Sequence, residues 1–553
     1  MPTRPAFFIT LTAGVLASCD AGKASQPGGA DCEGAPILSL TVGEHSVLDP
    51  TASAGCIRLA PEGAEYIVAA VSAAGAETAT GVTGRYTLQG GDDGAATASL
   101  HSRPASLGPV DPSQGFDLRL RERERAIASN PAFHPVRQPH IQAASKPTVG
   151  DKRTFKVCGV SDCTGFVDVL ATAVYVGSHA AVFLDDTVPA GGYTQAEIDS
   201  AGNLFDNYLY PIDTTAFGRE SDADNNGVVM ILLSDQVNRL TTTCGVYVTG
   251  YFFGLDLMDD PNSNRGEVFY AMVPNPSGTG CTVPNTFTRR TLAPTLIHEF
   301  QHMISYNRHR LLAGGEAENT WLNEGLSVFA EELGGRQIPG AQCVGGQANS
   351  CLTQFIKGDL ERAYEYLLNP EASYLVEPGT SSGTLAERGA NWLFVRWLAD
   401  RSTSDSILGT DITRALSGAD NPTGVAVTGG ANVTAAARSR FDPAADFGVL
   451  AGEWQLANCL EGMPAVSDEE PTGRLRYKSW NLPAAFSGLV LGPYPLNPHS
   501  VSAVPFSLFG QLRAGSGPHL HILPTATTNI LDVSFSTTNA SAVKPRVAVA
   551  RIQ

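Results

Sequence analysis

The sequence predicts a multidomain chain in which an α+β domain is flanked by β-rich N- and C-terminal domains. Three observations carry this. The chain has 553 residues, several times the roughly 100–200 of a single domain. Both ends alternate apolar and polar residues between Gly- and Pro-rich turns, the period of half-buried strands. Between them, strand-like runs come first and helical patterns follow, the order of an α+β domain. The composition, 43% hydrophobic, is too apolar for a wholly disordered chain. The formal net charge of −18 excludes the basic face of a nucleic-acid protein. Beyond the N-terminus no stretch has the roughly 18 uninterrupted apolar residues of a membrane span.

The first element is an export signal. Arg4 supplies a positive charge, and the apolar run from Ala6 to Leu16 is too short to cross a bilayer. Leu16-Ala17-Ser18-Cys19 closes it and resembles the bacterial lipoprotein lipobox. That resemblance implies removal of residues 1–18, acylation of Cys19 and an extracytoplasmic body anchored to a bacterial membrane, on the periplasmic side or at the cell surface. Residues 19–30 are the tether. An exported chain meets an oxidising compartment. Sequence neighbours then suggest the pairs Cys32–Cys56, Cys158–Cys163, Cys244–Cys281 and Cys343–Cys351. Cys459 is left over as a buried thiol in a helical pattern.

Residues 31–110 read as a β-sandwich-like domain, with strands around Tyr66–Val71 and Tyr86–Leu88. Residues 111–148 read as a linker with a mixed charge run over Asp117–Arg125. If the N-terminal domain is a removable propeptide, processing falls here. The α+β domain spans 149–465. Its strands run over Ala173–Val176, Ala181–Leu184, Val228–Leu233, Val246–Phe253 and Glu267–Val273. Thr194-x-x-Glu197 is a capping box opening a helix. Helices follow over Thr291–Tyr306, Thr320–Leu333, Thr353–Leu368, Leu385–Asp400 and Ala435–Leu460, the first with Pro294 in its opening turn. Residues 479–553 form the β-rich C-terminal domain. No internal repeat is present, and the chain is expected to be a monomer.

The strongest motif is His298-Glu299-Phe300-Gln301-His302. On a helix, residues four apart share a face, so both imidazoles can reach one metal ion. Glu299, beside the first histidine, can reach a metal-bound water instead. A third ligand is required. Ser305 and Arg308 stand where a metzincin places Gly and His, so that class is excluded. His309 lies two turns further along the same helix, too far to close on the ion. A second helix beginning at Thr320 and packed antiparallel would bring Glu324 to the metal. Glu316 and Glu318 are rivals in a Gly-rich loop. Glu331, two turns beyond Glu324, is a candidate partner for a metal-bound histidine.

These residues also carry a family resemblance. The H-E-x-x-H motif followed by Asn323-Glu324-Gly325-Leu326-Ser327 resembles the gluzincin metallopeptidases. Met303-Ile304, the segment Trp321–Glu332 and Arg388–Phe394 resemble the hyicolysin-type family. The resemblance implies a zincin-like fold, one zinc held by His298, His302 and Glu324, and Glu299 as catalytic acid/base. It implies endopeptidase action on proteins or peptides. Zinc lowers the pKa of its bound water, Glu299 takes the proton as that water attacks the scissile carbonyl, and then delivers it to the leaving amine. The oxyanion donor stays open among His309, Tyr364, Tyr366, Tyr374 and Arg388. A rival from another class is a surface adhesin with a structural zinc; an exopeptidase lacks an obvious group to hold a free amino terminus.

Calcium is a second expected cofactor. Asp222-Ala223-Asp224-Asn225-Asn226-Gly227 matches the first half of an EF-hand-like loop, with Asp222, Asp224 and Asn226 as ligands, but position twelve is Leu233 instead of Glu. Two patterns are discounted. Gly379–Gly383 fits G-x-S-x-G without the strand and helix that a nucleophile elbow needs. His519 and His521 share one face of a C-terminal strand, where a polar sheet surface is the commoner explanation.

Overall fold

The computed structural model describes residues 32–553 except 33, 61–62, 91–97, 102–111, 137–144, 279–280, 380–382, 403–407, 464–472, 502–504 and 524–529. The expected export signal, Cys19 and the expected tether lie outside the described residues, as do 380–382 of the G-x-S-x-G pattern. Among the described residues no helix is long and apolar enough to cross a membrane.

The N-terminal part supplies β1 (Ile37–Leu38), β2 (His45–Leu48), β3 (Cys56–Leu59), β4 (Tyr66–Ser72), β5 (Thr83–Gly90) and β6 (Ala98–His101). Helix α1 (Pro112–Ser129) follows. The central part carries β7 (Lys152–Cys158), β8 (Phe166–Val176), β9 (Ala180–Asp185), α2 (Gln195–Leu204), α3 (Tyr210–Phe217), β10 (Val229–Leu233), β11 (Gly250–Phe252) and β12 (Val268–Ala271). Then come α4 (Asn285–Tyr306), α5 (Thr320–Gln337), α6 (Ser350–Leu368), α7 (Leu385–Ser402) and α8 (Phe447–Leu460). The C-terminal part adds β13 (His499–Val501), β14 (Phe506–Arg513), β15 (His519–Ile522), β16 (Leu531–Thr537) and β17 (Pro545–Arg551).

The two ends of the chain, predicted as separate β modules, share two sheets. Their orders are β1-β3-β16-β5-β14-β6 and β13-β15-β4-β17-β2. Strand β5 lies between C-terminal strands, with Leu88 opposite Leu508 on one side and Phe535 on the other. Strand β4 is likewise flanked by β15 and β17. The alternating pattern explains the layering: Tyr86 and Leu88 of β5 point inward to meet Tyr66, Val68, Leu508 and Val549. Strand β4 is buried along its whole length. Tyr66, Val68 and Ala70 face the sandwich core, whereas Ile67 and Ala69 join the core of the central domain. Strand β4 therefore joins sandwich to central domain.

The central sheet runs β11-β12-β10-β9-β8-β7. Its middle strand β10 is parallel to β9 and β12, and Val229–Leu233 is fully buried, as a continuous apolar run in a covered parallel sheet should be. Helix α4 packs against β11 and β12 of this sheet, and its Leu296, Ile297, Phe300, Met303 and Ile304 are all at most 1% exposed. Helix α5 packs on α4 and α7. Their approach depends on Gly325, where a Cβ would lie 2.9 Å from the Asn391 carbonyl oxygen.

The segment predicted as a linker is in part structural. Helix α1 buries Phe116, Leu120, Ile127 and Ala128 in the same core as α4 and α5. Its charged residues Arg121 and Glu124 are also buried. They pair with each other at 2.6 Å and reach the backbone at the end of β11: Arg121 donates to the Phe252 carbonyl at 2.5 Å and Glu124 accepts from the Gly254 N–H at 2.5 Å. The run reads as solvated because the groups that satisfy it lie about 130 residues away.

Disulfides join Cys32 to Cys56, Cys158 to Cys163, Cys244 to Cys281 and Cys343 to Cys351. Cys459 is free and buried on α8, and burial pushes its thiol up to about 12.

Candidate active site

Helix α4 presents His298 and His302 one turn apart, with their Nε2 atoms 3.2 Å from each other. Helix α5 brings Glu324 to the same point. Its Oε2 lies 3.5 Å from His298 Nε2 and its Oε1 3.5 Å from His302 Nε2. The three side chains are buried, and one ligand atom from each falls within 4.8 Å of the others. Both Glu324 carboxylate oxygens are buried without a hydrogen bond. Two imidazoles and a buried carboxylate aimed at one point match the donor set of a catalytic zinc.

The outer ring nitrogens are held in turn. His298 Nδ1 is 2.8 Å from Glu331 Oε1, and His302 Nδ1 is 3.0 Å from Ser327 Oγ. The Ser327 hydroxyl also lies 2.5 Å from Gln301 Oε1. Such partners orient ligating histidines and set their tautomers. Burial opposes charge on His298, but Glu324 and Glu331 outweigh it and lift its pKa to about 10. Burial, helped by the Arg121 charge, holds His302 well below the usual range. The carboxylates around His298 thus draw positive charge to this point, which a proton or a cation can supply.

Glu299, next to His298 in the chain, is held from β11. Its Oε2 accepts the Phe252 N–H of β11 at 2.8 Å, and burial raises its carboxyl to about 7. It lines a cavity of about 340 Å³ together with His298, Asp117 and Arg388, opposite Tyr247, Phe287 and Phe355. Arg388 Nη2 lies 3.2 Å from Glu324 Oε2 and 3.0 Å from Asp117 Oδ2.

Among the candidate oxyanion donors, Arg388 lines this cavity. Tyr366 is buried against Gln455 and Ser516, Tyr364 packs edge-on to Phe486, and Tyr374 lies under the Arg513 guanidinium. His309 is fully buried, 3.6 Å from Glu318. Glu318 in turn accepts from the Gly429 N–H and the Asn432 amide, and Glu316 lines a separate surface cavity with Glu122 and Arg125. His519 and His521 diverge, to the Gln455 carbonyl and to Glu65.

The three residues expected to hold calcium do not all come together. Asp222 and Asp224 lie together, but the third member of the group is Glu267. The Asn226 amide instead donates to Asp224 Oδ2 at 2.9 Å. Sequence reasoning also missed Asp117, Arg121 and Ser327. A signal for α1 existed: Phe116, Leu120, Arg121, Glu124, Ile127 and Ala128 recur at helical spacing, with two charges among apolar residues.

Two histidines and a glutamate converging beside a buried carboxylate and a cleft define a metallopeptidase-like site. No family model matches the chain. Over 160 residues it is 34% identical to the neutral metalloprotease ShpI of Staphylococcus hyicus. That stretch is 29% of this chain and 35% of the relative, so the chain spans about a third of the relative's length. The identity supports a metalloprotease relationship, with a metal cofactor.

Proposed function

We propose that the chain is a zinc-dependent endopeptidase of the gluzincin type acting on extracytoplasmic proteins or peptides. One observation carries the reading: His298, His302 and Glu324 converge on one point, and His298 and Glu299 line the adjoining cleft. His298, His302 and Glu324 would hold the ion. Bound zinc supplies Lewis acidity and lowers the pKa of a coordinated water to about 7. Glu299, fixed by the Phe252 N–H with its carboxyl near 7, takes a proton from the attacking water and returns it to the leaving amine. Arg388, anchored between Glu324 and Asp117, presents a fixed donor to a carbonyl oxygen in the cleft. The export signal and the four disulfides fit an oxidising compartment, and Cys19 is the proposed lipid anchor.

Replacing Glu299 by Gln tests the mechanism. Casein or peptide cleavage should fall by about 10²–10⁴-fold, with zinc still bound at wild-type stoichiometry. Turnover at the wild-type rate in the zinc-loaded variant would refute the role of Glu299. Wild-type protein that binds zinc but cleaves no peptide would favour a structural zinc and an adhesin.

A further inference from the structure

We propose that Asp222, Asp224 and Glu267 form a calcium site, separate from the catalytic centre, that ties the loop before β10 to β12. The loop Asp222–Gly227 offers side-chain oxygens at alternating positions and turns through Asn225 and Gly227, both with positive φ (58° and 73°). An EF-hand-like loop is closed by a bidentate Glu at its twelfth position. Here that position is Leu233, buried within β10. The missing carboxylate comes from the neighbouring strand instead. Strands β10 and β12 are parallel, with Met230 opposite Val268, so Glu267, one residue before β12, arrives beside the loop.

Glu267 is 1% exposed. Its Oε1 accepts from Ser221 Oγ at 2.5 Å and from the Ala223 N–H at 2.9 Å. Its Oε2 is buried with no hydrogen-bond partner. A buried carboxylate oxygen left so is costly, and a hard cation is the partner its surroundings suit. One oxygen from each of the three carboxylates lies within 4.8 Å of the others, the span of an ion with metal–oxygen bonds of about 2.3–2.6 Å. Gly266 lets the backbone beside Glu267 approach the loop: a Cβ there would lie 2.7 Å from Asp224 Oδ2. Arg153 Nη1 sits 3.8 Å from Asp224 Oδ2, too far for a direct hydrogen bond. All-oxygen donors select calcium over zinc. The ion would anchor β12, whose neighbour β11 holds Glu299 through Phe252.

The test uses the full chain in zinc-containing buffer, stripped of calcium and then titrated with calcium or magnesium, and read by calorimetry and thermal unfolding. Neither readout depends on peptide cleavage, so the peptidase reading and this one fail separately. We expect one calcium per chain, with Kd at or below about 10⁻³ M, and a rise in Tm of a few degrees. Glu267→Gln keeps the shape of the side chain and should weaken binding at least about tenfold and abolish the rise. If that variant does not fold, Asp222→Asn, at an exposed position, should do the same. Absence of binding and of a Tm shift in the wild type at about 10 mM calcium overturns the site. So does a shift unchanged in the variants, or a magnesium response equal to that of calcium.

Discussion

Replacing Glu331 by Gln isolates the outer support of the proposed zinc ligands. Glu331 Oε1 is 2.8 Å from His298 Nδ1, and both side chains are largely buried, at 13% and 10% exposure. The substitution keeps size and hydrogen-bonding capacity and removes the charge. Losing such a partner weakens metal affinity by about 10–100-fold, which is about 1.4–2.7 kcal/mol. Ser327 supports His302 at 3.0 Å through a neutral hydroxyl. Because charge-assisted hydrogen bonds are roughly twice as strong as neutral ones, Ser327→Ala should cost less than Glu331→Gln. The assay is competition for zinc against a chromophoric chelator, at one neutral pH, with circular dichroism confirming the fold. Glu331→Gln binding zinc within about twofold of wild type, or Ser327→Ala losing more, would refute the assignment of Glu331 as the stronger support.

Asp256 should impose a pH dependence on stability. Burial raises its carboxyl to about 7 despite hydrogen bonds from Tyr270 and Asn264, so the folded state holds this proton more tightly than the unfolded chain. Its contribution is present at low pH and is lost as pH rises through 7. Between about pH 5 and 8 that loss is about 3 kcal/mol, and Asp256→Asn should remove it; parallel urea-unfolding curves for variant and wild type would refute this. Gly389→Ala would place a Cβ 2.2 Å from the Arg362 carbonyl oxygen, jamming α7 against α6 at a cost of about 1–3 kcal/mol; an unchanged Tm would show that the helices can separate freely. A protease site engineered into residues 137–144 should yield two fragments that co-elute after cleavage, because β5 is paired on both edges with C-terminal strands. Fragments that part without denaturant would contradict that pairing.

The convergence of His298, His302 and Glu324 was legible because its information is local. His298 and His302 share a face by helical period alone, and Glu324 lies 22 residues on, near the start of a second patterned helix. The disulfides, each spanning between 5 and 37 residues, follow from neighbouring cysteines. Strand partners are a different matter. The alternation around Tyr86 and Leu88 announces a half-buried strand, but period 2 says which face is inward and not which strand lies beside it. Leu88 meets Leu508 across 420 residues of chain, and nothing in either stretch specifies the other. The same holds for the proposed calcium site: the loop supplies Asp222 and Asp224 locally, while Glu267 arrives only through the parallel pairing of β10 and β12.

Helix α1 shows why a charge run can mislead. Strand β11 is the edge of the central sheet, and an edge presents N–H and C=O groups that must find partners when covered. An apolar helix could not supply them. Arg121 and Glu124 can: each satisfies one backbone group near Phe252 and Gly254, and their mutual ion pair compensates what remains. A residue pair that looks like a solvated surface is therefore the covering that a sheet edge requires. It also fixes the site, because the Phe252 peptide N–H that binds Glu299 belongs to the strand whose carbonyl Arg121 holds. The charges of α1 thus reach the Glu299 carboxylate through one residue of backbone, and the position of Glu299 depends on a segment whose sequence resembles a linker.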